Sequence, residues 1–442
     1  MNYSALFDEV VSSQNRRAPL LPANGALFLG PTSFALSPEQ QTALSAPINE
    51  SAIIVAGAGA GKTRLLVERA ARLIREGADP KSIAVVTFTR KAAKEVQDRL
   101  ALRLGSTSRL PDCSTVHALA LREIAQQHGM PRIAADEVLI AVLDTLKEEA
   151  PSDYEEMSSN ELSVLVNRCR EEENYAGVAG ILAARFEEIL QEKGLTDFTS
   201  LMTRALSCAV PRYRHIIVDE AQDLSRLQKS LLLKFALPSC AFWFVGDPDQ
   251  AIYAFRGAHE GMMQELEAYC GNRYVLTTNY RCATTVVAHA NNVIGFSANR
   301  IPVRWVAARE DAGTVGVEYY EHGVDELSAV TDWLRAGREG ERVALARTQV
   351  LVAPLKALGL PALSVHESKG LEWESVWLLG CEASLFPHIL CGREEERRLF
   401  YVAMTRARNN LVMSYAASRS SGKSTRVRSP SPFLFEAQSL EA

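Results

Sequence analysis

A glycine-rich turn between an apolar run and a helical pattern constrains the fold of this chain more than any other feature. Residues 52–56 are apolar and predict a buried strand, and the turn after them contains three glycines: Gly57, Gly59 and Gly61. Glycines let successive backbone N–H groups point at one phosphate, and the following helix start adds its positive end. Lys62 and Thr63 complete the pattern G-x-x-x-x-G-K-[ST], in which the lysine reaches the β/γ-phosphates and the hydroxyl binds Mg²⁺. The turn therefore predicts a nucleotide-binding α/β domain.

The chain length predicts more than one domain. At 442 residues the chain exceeds the usual size of a single hydrophobic core. Hydrophobic residues at 47% and charged residues at 23% are typical of a globular protein, and every apolar run is too short to cross a membrane. We therefore expect several globular domains and no membrane partner.

Charge and cysteine content narrow the function classes. A net charge of −5 argues against a uniformly basic protein that coats nucleic acid, but it leaves room for a local basic groove. The eight cysteines are scattered without a C-x-x-C pair, which favours free thiols in a reducing cytoplasm over zinc or iron–sulfur ligation.

The order of apolar and polar patterns predicts two α/β regions, the first with a helical insertion. Alternation of apolar strands with helices is typical of parallel α/β sheets. The predicted units are an irregular extension at 1–35, a first α/β domain at 36–118 and 206–274, a helical insertion at 119–205, a second α/β domain at 275–415, and a flexible, basic Ser/Arg-rich tail at 416–442. Strand candidates of the second region are 274–276, 343–346 and 376–379.

Two acidic residues follow the strand candidate 215–218. Asp219 is expected to hold Mg²⁺ through water, and Glu220 to orient and deprotonate an attacking water. A solvated acidic strand end is the alternative interpretation. Because a phosphate-binding loop precedes the pair and Gln222 and Asp223 follow it, we favour catalysis.

The strand candidate 242–245 leads into a second polar turn. Gln250 is expected to sense a γ-phosphate by hydrogen bonding, and Tyr253 and Phe255 offer aromatic faces to bases. The alternative is that both aromatic residues belong to the core. The polar cluster beside them favours a segment that couples hydrolysis to strand movement.

Together these residues resemble the UvrD/Rep/PcrA type of superfamily 1A DNA helicases. The resemblance covers about residues 36–436, and seven family motifs occur in order. They are similar to the Q motif at 37–41, motif Ia at 87–93, motif II at 219–223, motif III at 246–257, motif IV at 279–281, motif V at 365–372 and motif VI at 396–407. The resemblance implies two RecA-like parallel-sheet α/β domains, the first with a helical insertion, and ATP and Mg²⁺ as cofactors.

The resemblance also implies roles for individual residues. Gln40 would read adenine, Arg64 and Tyr280 would sandwich it, and Glu372 would contact the ribose. Arg281 and Arg406 would be arginine fingers that reach the γ-phosphate when the two domains close. The other catalytic residues would be Lys62, Glu220 and Gln250. The single-strand path would be lined by Phe88, Thr115, His117, Tyr253, Phe255, Arg256, His366 and Lys369. For His366 and Lys369 a surface turn is the alternative.

One departure concerns size. Family members carry a long mobile helical insertion, subdomain 2B, where residues 282–365 of this chain run almost directly into motif V. We therefore expect a minimal version without 2B that is active as a monomer.

The implied function is ATP-dependent translocation on single-stranded DNA, 3′→5′, with duplex unwinding in replication, repair or recombination. The expected partners are single-stranded DNA, single-strand/duplex junctions, and repair, replication or defence proteins. A DNA-activated ATP switch that does not unwind remains an alternative. A small-molecule phosphotransferase fits motifs III to VI poorly, and RNA as substrate stays open because stacking and phosphate contacts suit both sugars.

Overall fold

The computed structural model describes residues 35–105, 109–149, 157–254, 257–259, 261–298, 300–338, 340–389, 391–421 and 424–439. The predicted extension at 1–35 therefore lies almost entirely outside the described residues, as do Phe255 and Arg256. None of the described helices is long and apolar enough to cross a membrane.

The first sheet has six parallel strands, which confirms the predicted α/β fold. In chain order the strands are β1 Ala52–Ala56, β2 Ile83–Val86, β3 Asp112–Ser114, β4 Tyr213–Val218, β5 Ala236–Gly246 and β6 Arg273–Leu276. Their spatial order is β3-β2-β4-β5-β1-β6, so the carboxyl ends of β1, β4 and β5 lie along one edge. Residues 274–276 were predicted for the second region, and this is wrong, because Tyr274 pairs with Ile54 of β1.

Ten helices are described in the chain up to β6. They are α1 Pro38–Ser45, α2 Lys62–Arg75, α3 Arg90–Leu104, α4 Val116–His128, α5 Asp136–Glu148, α6 Ser159–Glu171, α7 Gly177–Glu192, α8 Phe198–Cys208, α9 Arg226–Phe235 and α10 Met262–Cys270. Three of them, α5, α6 and α7, share a separate apolar core that includes Leu143, Leu162 and Phe186. In contrast, Leu119 of α4 and Met202 of α8 pack into the core of the first sheet.

The second sheet follows β6. Its strands are β9 Thr314–His322, β10 Arg342–Ala346, β11 Ala362–Ser364, β12 Trp373–Leu379, β13 Ala407–Ser421 and β14 Ser424–Val427, and a small separate pair consists of β7 Thr278–Asn279 and β8 Val306–Ala307. The order is β11-β10-β12-β13-β14, with β9 parallel to β13 and β14 antiparallel to it. The described part of the second sheet is thus parallel except for β14, and the fold has the two α/β regions that the motifs implied.

Five α-helices are described beside the second sheet, namely α11 Thr284–Gly295, α12 Gly323–Arg335, α13 Gln349–Ala357, α14 Arg393–Met404 and α15 Pro432–Gln438. Within the described part of 282–365, α11, α12 and α13 all pack on strands of this sheet. The predicted flexible tail at 416–442 is corrected in its described part, because β13 and β14 pair there and Phe433 and Leu434 of α15 are buried. Burial of these apolar side chains stabilises α15 against the core. The serine- and arginine-rich sequence that precedes the helix gives no indication of this packing.

Candidate nucleotide site and nucleic-acid track

The glycine-rich turn has the conformation that its sequence predicts. It joins the fully buried strand β1 to α2, and Gly59 and Gly61 have φ angles of 68° and 80°. Residues that have a Cβ atom rarely adopt such φ angles. A Cβ at Gly59 would lie 2.5 Å from Cβ of Arg281, and one at Gly61 would lie 2.8 Å from Nε2 of Gln40. The glycines are therefore required both by backbone angle and by the close approach of two predicted site residues.

The Q-motif glutamine holds the turn directly. Gln40 is buried and donates from Nε2 to the carbonyl oxygen of Ala60 at 3.0 Å, while its Oε1 accepts from the backbone N–H of Ser37 at 3.1 Å. Lys62 begins α2 and donates from Nζ to the carbonyl oxygen of Ala56 at 3.3 Å. Both side chains thus lie against the predicted phosphate site.

Asp219 and Glu220 follow β4 at the same sheet edge. Glu220 has a φ of 50°, a left-handed conformation that is strained for a residue with a side chain. Its Oε2 accepts from Nε2 of Gln222 at 2.5 Å. Burial and the charge of Glu220 raise the pKa of Asp219 to about 7. Burial also opposes ionisation of Glu220, but the charges of Lys62 and Lys369 outweigh it and lower the pKa of Glu220 to about 2.

The donor set suits the magnesium ion that ATP carries. Mg²⁺ takes oxygen ligands and is usually bound through one or two protein groups, with phosphates and water completing the octahedron. The Thr63 hydroxyl and the Asp219 carboxylate are such groups, and both follow strands that end at one edge of the first sheet. When bound, the ion would neutralise charge on the phosphates, while Glu220 stays ionised and able to accept a proton from water.

Two arginines from the second region face this edge. The buried Arg406 donates to Oε1 of Gln250 at 3.4 Å, and burial together with Arg281 lowers its pKa to about 10. Arg281 donates to the carbonyl oxygen of Thr405 at 3.3 Å and forms an ion pair with Glu372. Both guanidinium groups are thereby brought to the site from the other side of the domain interface.

Gln250 connects the two regions. Its side-chain amide donates to Oδ2 of Asp247 at 2.6 Å, and its backbone carbonyl accepts from Nζ of Lys369 at 2.7 Å. Because Arg406 bonds to the same side chain, Gln250 contacts motif III, motif V and motif VI residues at once. A movement of either region therefore changes the surroundings of this glutamine.

Four of the predicted nucleic-acid residues form one cluster, which we call the aromatic track: Phe88, Tyr253, His366 and Lys369. Phe88 stacks on Tyr253 with ring centroids 5.1 Å apart and an interplanar angle of 7°. Lys369 Nζ lies 4.7 Å from the centroid of Tyr253, and the His366 ring lies 6.4 Å away. Phe88 is 37% exposed whereas Tyr253 is 8% exposed, so Phe88 offers the accessible face.

Models of known protein families match two parts of the chain. The UvrD/REP helicase N-terminal domain matches residues 36–270, and the UvrD-like helicase C-terminal domain matches residues 359–418. The chain belongs to the UvrD/REP helicase family. The sequence resemblance is thereby confirmed, and so is the fold class.

Three relatives of this UvrD/REP family member are named DNA helicases. DNA helicase II of Escherichia coli is 27% identical over 69% of this chain and 46% of its own length. A probable DNA helicase of Mycoplasma pneumoniae is 27% identical over 86% of this chain and 83% of its own length. ATP-dependent DNA helicase PcrA of Bacillus subtilis is 31% identical over 64% of this chain and 42% of its own length. The chain thus matches less than half the length of two of these relatives.

Two residues predicted for the single-strand path have other contacts in this UvrD/REP family chain. Thr115 is buried and caps α4, where its hydroxyl accepts from the N–H of Ala118 at 3.2 Å. His117 packs edge-on against Phe198 at 5.6 Å, and burial lowers its pKa to about 4. Neither residue contacts the aromatic track in these interactions, so their predicted role in the path stays a prediction.

The predicted adenine and ribose contacts are in part engaged by protein. Glu372 pairs with Arg281 and also with Arg408, which donates from Nε at 3.0 Å. Tyr280 is 45% exposed, and its backbone N–H donates to the carbonyl oxygen of Gly59 at 2.9 Å. Its ring is therefore accessible beside the phosphate loop, as a base-stacking role requires, while Arg64 is half-buried at the start of α2.

Sequence reasoning missed Arg300 and Trp305. Arg300 donates from Nε and a terminal nitrogen to the two carboxylate oxygens of Asp249 at 3.1 and 2.5 Å. The ring of Trp305 lies 2.6 Å from where a Cβ of Gly57 would stand. A buried acid in the motif III turn was the available signal, since such a carboxylate needs a cation.

Proposed function

We propose that this chain is an ATP-dependent single-stranded DNA translocase and DNA helicase that moves 3′→5′. The observation that carries the proposal is the position of Lys369, which donates to the Gln250 carbonyl and lies over the ring of Tyr253. One residue thus joins the γ-phosphate-sensing turn to the aromatic track. The names of the relatives support DNA as the substrate.

In the proposed cycle, Lys62 binds the phosphates and Glu220 accepts a proton from the attacking water. Arg281 and Arg406 stabilise the charge that develops on the γ-phosphoryl group. Gln250 senses the group through its amide and transmits its state to the second region. Because Arg406 and Lys369 both bond to Gln250, closure and reopening of the interface would shift the aromatic track relative to the bound strand.

The test combines hydrolysis and strand displacement. We expect single-stranded DNA to stimulate ATP hydrolysis that requires Mg²⁺, and duplexes with 3′ tails to be unwound faster than duplexes with 5′ tails. RNA duplexes with the same tails are assayed in parallel, so that RNA and DNA are compared as substrates. Stimulated hydrolysis without displacement on any tail would instead support a DNA-activated ATP switch. Hydrolysis without any nucleic-acid stimulation would contradict the proposal.

We further propose that the chain acts as a monomer and lacks a 2B subdomain, with low processivity and weak junction binding. The packing of α11, α12 and α13 on the second sheet supports this, as they are the described helices between motifs IV and V. In single-turnover unwinding, displacement should occur at one molecule per DNA. A steep dependence on enzyme concentration would contradict monomer activity. The free cysteines support a cytoplasmic location, and replication, repair or defence proteins remain proposed partners.

A further inference from the structure

Residues 300–305 form a segment, here called the strap, that belongs to the second region but contacts the first. The strap follows α11, which packs on β9, β13, α14 and α15, and it leads into β8. Its first residue, Arg300, reaches the motif III turn, and its last, Trp305, reaches the phosphate loop. One short segment therefore contacts the nucleotide site at two points.

Trp305 closes the space beside Gly57. Atoms of its ring lie 2.6 to 2.8 Å from the position that a Cβ of Gly57 would take, and the side chain is 4% exposed. Asn291 of α11 fixes the Trp305 backbone on both sides, since Nδ2 donates to its carbonyl oxygen at 2.8 Å and Oδ1 accepts from its N–H at 3.1 Å. The ring packs directly on Gly57 and is held in place by the second region. Because no gap separates them, a movement of the loop at Gly57 must also move the ring.

Arg300 fixes the other end of the strap. It binds both carboxylate oxygens of Asp249, and it also donates to the carbonyl oxygen of Val303 at 2.7 Å. The two side chains are 15% and 3% exposed. The planar fork of an arginine sets the position of such a carboxylate in two directions, which a lysine cannot do.

The bond to Asp249 continues to Gln250 and Arg406, the residues that are proposed to face the γ-phosphate. The backbone N–H of Asp249 donates to Oδ1 of Asp247 at 3.0 Å, and Oδ2 of Asp247 accepts from Nε2 of Gln250 at 2.6 Å. Gln250 in turn accepts from Arg406. A contiguous set of packed and hydrogen-bonded side chains thus runs from Gly57 through the strap to the proposed arginine finger.

We propose that the strap adjusts the motif III turn to the state of the phosphate loop, so that Trp305 and Arg300 are positioning residues for ATP hydrolysis. The proposal rests on the proposed ATPase function of the same site. Trp305 would sense the loop through Gly57. Arg300 would carry the response to Gln250 through Asp249. Neither residue needs to touch ATP.

The first experiment substitutes Arg300→Lys, which keeps the charge but loses the fork. We expect kcat for ATP hydrolysis to fall about tenfold or more while the dissociation constant for MgADP changes less than about twofold. The matched control is Arg419→Lys, because Arg419 binds both oxygens of Glu382 from Nε and a terminal nitrogen at 2.6 and 2.5 Å with comparable burial, 13% and 0%, inside the second region alone. The control should lower thermal stability similarly and leave kcat within about twofold.

The second experiment uses tryptophan emission. The chain has five tryptophans, and we expect MgADP to change the emission of the wild type and of Trp333→Phe, but not that of Trp305→Phe. Trp333 is the matched control because it lies in α12 against Trp377. In Arg300→Lys, Trp305 remains present, and its nucleotide response should be reduced.

The outcomes separate the strap from the proposed function. A kcat loss in Arg300→Lys no larger than in Arg419→Lys, or an unchanged MgADP response in Trp305→Phe, would overturn the strap proposal. If Arg300→Lys melts below the assay temperature, Asp249→Asn tests the same pair. Absence of DNA stimulation in the wild type would refute the helicase proposal alone, because emission changes with MgADP are read without DNA.

Discussion

Lys369 and Asp223 form a buried ion pair across the domain interface, with Nζ 2.6 Å from Oδ2 and the side chains 7% and 1% exposed. Asp223 follows Glu220, the proposed catalytic base, by one 3₁₀ turn, and Lys369 belongs to the aromatic track. Burial raises the pKa of Asp223 to about 6, although Lys369 opposes the rise. The pair therefore joins the hydrolysis motif to the proposed DNA path through one contact.

Removing one partner of this pair should destabilise the interface. In Lys369→Met the buried Asp223 loses its cation, and we expect Tm to fall by about 5 °C or more. The double variant Lys369→Met/Asp223→Asn should regain most of that loss but not the affinity for single-stranded DNA. Differential scanning calorimetry and DNA binding measure the two effects.

The control for this pair is Lys94→Met. Lys94 pairs with Asp98 at 2.8 Å, but the side chains are 68% and 54% exposed. Exposed pairs contribute about 0–1 kcal/mol, so Tm should hardly move. Equal losses in Lys94→Met and Lys369→Met would contradict the prediction.

Substitutions at Lys62 and Glu220 should separate ATP binding from hydrolysis. Lys62→Ala removes a cation from the phosphates, whereas Glu220→Gln removes the base but keeps an oxygen for the bond from Gln222. We expect both to lower kcat by about 100-fold or more, with ATP affinity lost only in Lys62→Ala. Equilibrium binding of a fluorescent ATP analogue and steady-state hydrolysis are the measurements. Near-normal turnover of Glu220→Gln would refute its role as base.

The exposed face of the aromatic track should contribute to strand binding. Phe88→Ala should weaken single-stranded DNA binding by about 1–3 kcal/mol and leave ATP affinity and Tm nearly unchanged. Tyr253→Ala should lower both DNA affinity and Tm, because Tyr253 is buried and supports the Phe88 ring. Phe296→Ala is the control, since Phe296 is 53% exposed outside the track. Fluorescence anisotropy at several salt concentrations tests this, and an unchanged affinity in Phe88→Ala would place the DNA elsewhere.

Glu171 predicts a pH dependence of stability. It is 6% exposed at the end of α6 and accepts from the Thr199 hydroxyl of α8 at 2.9 Å. Burial raises the pKa of Glu171 to about 7 from an ordinary 4.5, although the hydroxyls of Ser225 and Thr199 and the charge of Arg170 oppose the rise. The folded state therefore holds a proton that the unfolded state releases, and stability should fall between about pH 4.5 and 7.

The variant Glu171→Gln should remove this dependence. It should match the wild type at pH 5 and exceed it by about 2 kcal/mol at pH 8. Glu172→Gln is the control, because Glu172 is partly exposed and pairs with Arg168 at 3.2 Å. The measurement is the Tm of each protein across this pH range. Parallel curves of Tm against pH for wild type and Glu171→Gln would refute the assignment of the pH dependence to Glu171.

The sequence by itself determined those helices, strands and turns whose conformation depends on residues close together in the chain. The apolar run before Gly57, the glycines and Lys62 predict a strand, a turn and a helix start within a dozen residues, and the structure has β1 and α2 there. The acidic residues after β4 were assigned to the nucleotide edge for the same reason, since parallel strands bring their carboxyl ends together. Resemblance then supplied Arg281 and Arg406, which local patterns alone do not identify.

Only the tertiary structure decided which distant segments meet. The strand 273–276 joins β1 rather than the second sheet, and apolar periodicity is the same for either neighbour. Arg300 reaches Asp249, and Trp305 reaches Gly57, across long stretches of chain. Such pairs depend on complementary shape and on the need of a buried carboxylate for a cation, and these are satisfied only when the two α/β layers pack together.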